Sequence, residues 1–203
     1  DKLANPQDTG QVELRKVDVT KPNEIQGICN GVDVVITTIG LTSYCGPLTN
    51  MDVDYQGNLN LLQEALQAGV KKFVYISVFG ADFDPSVPML KAKLQFEWAL
   101  KSAPISWIIV RPTGYFTDFS MLFLKMAQKG KITLVGDNPA PINPIHPADV
   151  AEWIADNIHL NNQTIEIGGP DRLTYREIAL ICFELVSKKP KITTIPAGFF
   201  RVM

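Results

Sequence analysis

The 203 residues are 46% apolar and 20% charged, an ordinary globular balance that excludes a disordered chain. The formal net charge is −2, and acids and bases are interspersed without a run of five like charges, so no basic footprint invites nucleic acid. Cys29, Cys45 and Cys182 are scattered, and His146 and His159 are the only histidines; neither a disulfide framework nor a metal site is expected.

No apolar run approaches the ~20 residues of a membrane span, and nothing reads as a signal peptide. The expectation is a soluble protein of a reducing compartment with no integral membrane segment.

Residues 11–19 alternate apolar and polar and predict a strand. Thr20 and Pro22 then predict a short helix, with the threonine as cap and Gly31 as its end. The β-branched run 32–39 predicts a strand covered on both faces. Tyr55, Leu59, Leu62 and Leu66 share one stripe of a helix over 53–68, with Gly69 at its C′ position. A strand over 72–77 follows, then a helix from Pro88 to Ala103 and a strand over 107–110. Alternation of this kind, with right-handed crossovers, predicts one doubly wound parallel sheet.

Beyond Arg111 the texture changes. A helix near 118–129 ends at Gly130, and a strand or hairpin over 131–135 leads into a proline-rich stretch. A helix from Pro147 to Ile158, a strand over 164–167 and a helix opened by the capping box of Thr174 and Glu177 complete the pattern. The expected architecture is α/β, a Rossmann-like sheet over residues 1–116. A smaller, mostly helical substrate lobe over 117–203 would form one wall of a cleft.

A dinucleotide-binding sheet of this type carries a glycine-rich turn after its first strand. Among 14 glycines no GxGxxG or GxxGxxG occurs. In the strand order of such folds, residues 11–19 and 32–39 pair with two strands for which no upstream βαβ unit is found. The expectation is therefore a fragment, or an incompletely represented protein.

Six stretches together resemble the atypical short-chain dehydrogenases/reductases of the NmrA-like type. They are Val53 to Leu62, Ala68 to Asp82, Lys91 to Glu97, Ile109 to Phe116, and Asn143 to Ala151, with Ile167 to Asp171 as the sixth. The stretches at Lys93–Glu97, Val110–Thr113 and Ile167–Pro170 look most like divinyl chlorophyllide reductases, which would add the plastid stroma to the cytoplasm as a location. The resemblance implies NADP or NAD as cofactor. Asp18 and Val19 would meet the adenine; Thr37, Thr38, Ile39 and Gly40 the ribose and pyrophosphate; Ser77 the nicotinamide; and Pro112, Thr113 and Gly114 its amide. These positions are carboxyl ends of predicted strands, where open α/β sheets bind ligands. Each also has a plainer reading: Asp18 as a turn residue, Thr37 and Thr38 as β-branched strand residues, Ser77 as a strand terminus.

Standard family members pair a tyrosine with a lysine four residues later, one helical turn apart. Here those positions hold Met89, which has no proton to give, and Lys93. Asp54 stands where the related pattern carries asparagine. Lys93 with Ser77 is the expected catalytic pair; alternatively, Lys93 only pairs with Glu97 on a solvent-facing helix side, worth roughly 0.2–0.5 kcal/mol. His146 and Asp149 suit a helix start. Tyr115, Phe116 and Phe119 could line an apolar substrate pocket or belong to the core. The resemblance leaves two functions open. One is an NAD(P)H-dependent reductase acting on a C=C or C=O bond of an apolar small molecule, a divinyl tetrapyrrole included. The other is a non-catalytic NAD(P)-binding regulator or assembly subunit, which could associate with a membrane complex.

Overall fold

The computed structural model describes residues 12–41, 46–136 and 139–196. Cys45 lies outside them, as do the side chain of Phe119 and the stretch 199–203, over which the sequence reads as the beginning of a further helix.

Four strands form one wholly parallel sheet in the order β1 (Val34–Thr37), β2 (Lys72–Ile76), β3 (Ser106–Pro112), β5 (Gln163–Ile167). Side chains alternate across it, as strand geometry requires. Phe73, Tyr75 and Ile109 face α2 (Asn58–Gln67) and α3 (Pro88–Ser102), packing on Leu62, Ala65, Phe96 and Leu100. Val74, Ile76, Ile108 and Val110 face the opposite way and meet Val150 and Ile154 of α5 (Pro147–Asn157). Burial on both faces explains why β2 and β3 read as continuous apolar runs. β1, expected to be covered on both faces, leaves Ile36 52% exposed because it lies at the edge of the described sheet.

A third core joins α4 (Phe116–Gln128), α6 (Tyr175–Leu185) and a second parallel pair, β4 (Ile132–Val135) with β6 (Ile192–Ile195). Phe123, Ala127, Ile132, Ile178 and Phe183 are buried there. The segment after Gly130 is thus a strand and not a hairpin, and its partner β6 was not anticipated. The capping box at α6 is complete, Thr174 and Glu177 each serving the other's backbone N–H. His146 caps α5, its Nδ1 accepting from the Ala148 amide at 3.2 Å.

Three local expectations are corrected. Residues 12–18 form no strand. A strand exists through its ladder, and among the described residues nothing pairs with this stretch. The first helix, α1, is a single turn, Pro22–Ile25, whose cap position is Lys21. Thr20 instead donates its hydroxyl to Asp18 at 2.7 Å, which spends the side chain on the preceding turn. Gly31 does not end this helix, which stops at Ile25, ahead of Gly27 at φ +77°. The helix predicted from residue 53 opens earlier, as a π-helical stretch over Met51–Gly57 that continues into α2. Such wide turns recur at functional sites.

Candidate functional site

The carboxyl ends of β1, β2 and β3 open into one cavity of about 430 Å³. Thr38, Gly40, Ser77, Lys93, Pro112, Gly114 and Tyr115, all singled out from the sequence, line it together. Asn50, Asp54, Met89 and Asp118 complete its polar and flexible wall. In a parallel sheet the strands end abreast, so residues distant in sequence meet at this edge.

Lys93 reaches the cavity from α3 and is 9% exposed. Its ammonium lies 3.0 Å from Oδ1 of Asp54, whose side chain is fully buried on the π-helical stretch. It also stands 5.6 Å from the centroid of the Tyr75 ring. Asp54 Oδ2 accepts from the Leu41 amide and from Asn50 Nδ2, each at 3.0 Å. Oδ1 has no aligned hydrogen bond, so the lysine meets it as an ion pair. The plainer reading of Lys93, a pairing with Glu97 in solvent, does not describe this side chain.

Glu97 is itself 0% exposed. Its Oε1 accepts from Arg111 Nε at 2.9 Å and its Oε2 from Arg111 Nη2 at 2.8 Å, a two-pronged ion pair. Ser77 Oγ donates to the same Oε1 at 2.6 Å. Lys101 adds a second cation 3.6 Å from Oε2, and Asp82 and Glu166 approach Arg111 at 3.4 and 3.5 Å. The hydrogen bonds to Glu97 hold the guanidinium pKa above its usual value, against the opposing effect of burial. The pair ties α3 to β3, and Glu97 reaches the cavity wall through Ser77.

Tyr75 carries a third buried polar group, fully enclosed between these two ion pairs. Its hydroxyl has no hydrogen-bond partner among the described residues. Burial raises its pKa well above the ordinary tyrosine value, and the carboxylates of Asp54 and Glu97 add to the rise. Tyr115, in the cavity wall, is likewise raised by burial and by Asp118.

The remaining predicted residues are elsewhere. Thr113 turns away: its hydroxyl donates to the Asn143 carbonyl at 2.6 Å, and it lines a separate pocket with Phe79, Glu166 and Gly168. Thr37 points into the helix layer, bonding Asn58 at 2.7 Å. The Ile39 carbonyl accepts from Asn58 at 3.3 Å, and Val19 packs against Gly57 while its carbonyl accepts from Asn60. Asp18 is occupied by Thr20 and Lys21, and its pKa is lowered chiefly by the Thr20 hydrogen bonds. Phe116 opens α4 with its amide on the Ile145 carbonyl and is not part of the cavity wall. Asp54, Tyr75, Glu97 and Arg111 were not singled out as site residues. All four stood inside the stretches that carry the family resemblance, but only folding joins their charges.

Among the described residues no helix is long and apolar enough to cross a membrane, and no cluster of three or more His, Cys, Asp or Glu is arranged to hold a metal.

A family described as NAD(P)H-binding matches residues 1–160. The photosystem II assembly factor Ycf39 of Synechocystis sp. is 24% identical over 92% of this chain and 58% of its own length. The chloroplastic divinyl chlorophyllide a 8-vinyl-reductase of Zea mays is 30% identical over 71% of this chain and 38% of its own. The chain thus spans about half the length, or less, of the curated relatives it matches. UDP-glucose 4-epimerase of Thermus thermophilus, solved in complex with NAD, superposes with a TM-score of 0.74 at 22% identity, covering 89% of this chain and 71% of that one. That likeness establishes the Rossmann-like fold.

Proposed function

This chain belongs to the NAD(P)H-binding family, as an NmrA-like atypical short-chain dehydrogenase/reductase, and on that premise we propose that it is an NAD(P)H-dependent reductase of an apolar small molecule. The observation that carries the reading is the cavity at the carboxyl ends of β1–β3, with the buried Lys93 in its wall. Its lining suits the nicotinamide end of the nucleotide. A Cβ on Gly40 would lie 3.0 Å from Asp54 Oδ1 and 3.1 Å from Lys93 Nζ, so the backbone closes tightly on the charged pair, which a larger residue would crowd. Lys93, Ser77, Thr38 and Gly114 would hold the nicotinamide and its ribose.

The cofactor, when bound, supplies a hydride. The chain's own part is to orient, to exclude water and to deliver a proton. Met89 lines the cavity without a proton to give, which leaves Lys93, held by Asp54, as the charged donor in the wall. Tyr115 would bound the substrate side, and we extend the proposal to a substrate lobe built on α4, α6 and the β4–β6 pair, with the nucleotide core ending near residue 116. The Zea mays relative's name points to a C=C bond of a divinyl tetrapyrrole as a candidate substrate.

A second reading is an assembly subunit that holds NAD(P)(H) without turnover. It is favoured by the name of the Synechocystis relative and by methionine at position 89. Full-length protein titrated with NADPH and NADH, then followed by nucleotide absorbance with enones, quinones and divinyl tetrapyrroles, separates the two. Nucleotide oxidation that Lys93→Ala abolishes supports the reductase. Tight binding with no turnover of any of them overturns it in favour of the subunit.

A further inference from the structure

Ser77 ends β2 at the cavity, and the obvious use of a serine there is to donate its proton to a ligand carbonyl. The geometry points to the opposite polarity. We infer that Ser77 faces the cavity as a hydrogen-bond acceptor only, with its proton held from behind by Glu97, and that it reads an N–H of the nicotinamide carboxamide instead of polarising a substrate carbonyl. This rests on the reading of the cavity as a nicotinamide slot.

A serine hydroxyl has one proton and two lone pairs. Its proton lies along a 2.6 Å contact to Glu97 Oε1. That carboxylate can only accept, because Arg111 donates to both of its oxygens at 2.9 and 2.8 Å and Lys101 stands 3.6 Å from Oε2. Glu97 is 0% exposed, so water does not hydrate its carboxylate in the serine's place. The Tyr75 hydroxyl lies near Ser77 but makes no aligned hydrogen bond, whereas the contact to Glu97 is short and direct. The Ser77 amide is also committed, donating to the Val110 carbonyl at 2.7 Å. What remains for the cavity is a lone pair on Oγ. A charge-assisted bond of this length is among the stronger neutral-to-ionic contacts, so a ligand carbonyl does not pull the proton back.

The consequence is a sorting rule. A group that donates is welcomed at Ser77, and one that only accepts meets lone pair against lone pair. Carbonyl reduction would lack its electrophilic donor at this position, whereas reduction of a C=C bond needs none there. Glu97 is then a positioning residue, acting through Ser77, and the Glu97–Arg111 pair sets the polarity of the site.

Two measurements test this. Neutron diffraction of the deuterium-exchanged protein should place the Ser77 hydroxyl deuteron on the line to Glu97; a deuteron directed into the cavity overturns the inference. In solution, wild type and Ser77→Ala are each titrated with NADPH and with its 3-acetylpyridine analogue, in which a methyl ketone replaces the carboxamide and no N–H remains. Wild type should prefer NADPH by about tenfold, the size of one hydrogen bond with an acceptor left unpaired otherwise. Ser77→Ala should shrink that preference to about twofold or less. A preference that survives in Ser77→Ala, or one for the analogue in wild type, sinks the inference while leaving nucleotide binding intact. Failure of both nucleotides to bind the full chain would instead remove the nicotinamide slot itself, and the assignment of Ser77 to the carboxamide falls with it.

Discussion

The Asp54 carboxylate and the Lys93 ammonium meet at 3.0 Å across two helical segments, the lysine side chain 11% exposed and the aspartate fully buried. Removing one member of such a pair strands a charge away from water, whereas exchanging both is far milder. Lys93→Met should cost about 3–5 kcal/mol in urea unfolding. Asp54→Asn with Lys93→Met together should cost clearly less than the sum of the two single changes. A strictly additive cycle would mean that the two groups do not interact in solution.

Tyr75 yields a prediction with a definite pH sign. Its phenol is pushed well above the ordinary range by burial, then by Asp54 and Glu97. A group whose folded pKa is raised favours folding only in its neutral form. That contribution is complete below the unfolded phenol value of ~10 and is lost as pH rises above it. Tyr75→Phe should therefore flatten the alkaline fall in stability. At neutral pH it should leave stability unchanged or raise it by about 1 kcal/mol, since it removes a buried hydroxyl that has no partner among the described residues. Urea titrations at neutral pH and about one unit above that phenol value check both halves, and a loss of more than about 1 kcal/mol at neutral pH contradicts the geometry.

The turn after β5 should tolerate no side chain at Gly169. A Cβ there would lie 2.1 Å from the Pro144 carbonyl oxygen, a backbone atom that cannot swing aside. Gly169→Ala should cost about 1–3 kcal/mol through overpacking. It should also loosen the neighbouring segment, where the Gly169 amide bonds the Asn143 carbonyl that Thr113 also uses. Amide exchange at Thr113 and Gly169 is the readout. A crystal structure of the variant with Asn143 and Pro144 undisplaced would contradict this account.

Most of the fold was legible before any coordinates. Period-two runs, helical stripes, the capping box at Thr174 and the glycines at 69 and 130 are local signals, because each reflects backbone geometry within a few residues. The carboxyl-end positions followed from topology, and Thr38, Gly40, Ser77, Pro112 and Gly114 share one cavity with Lys93 and Tyr115. What the sequence did not reveal is of two kinds. Residues 12–18 have strand alternation but no described partner, and no sequence pattern reveals whether a ladder is completed. Thr113 and Thr37 stand at the expected strand ends, yet their side chains are drawn to Asn143 and Asn58.

The sequence by itself determined most of the strands and helices, that the main sheet would be parallel, and that Met89 could not act as an acid. Only the tertiary structure decided which charges face one another. Lys93 and Glu97 sit one turn apart and look like a pair, but the π-helical stretch brings Asp54 to the first and β3 brings Arg111 to the second. Helical spacing fixes what can meet within an element; desolvation between packed elements selects what must meet, since a buried charge persists only where a partner from elsewhere in the chain reaches it.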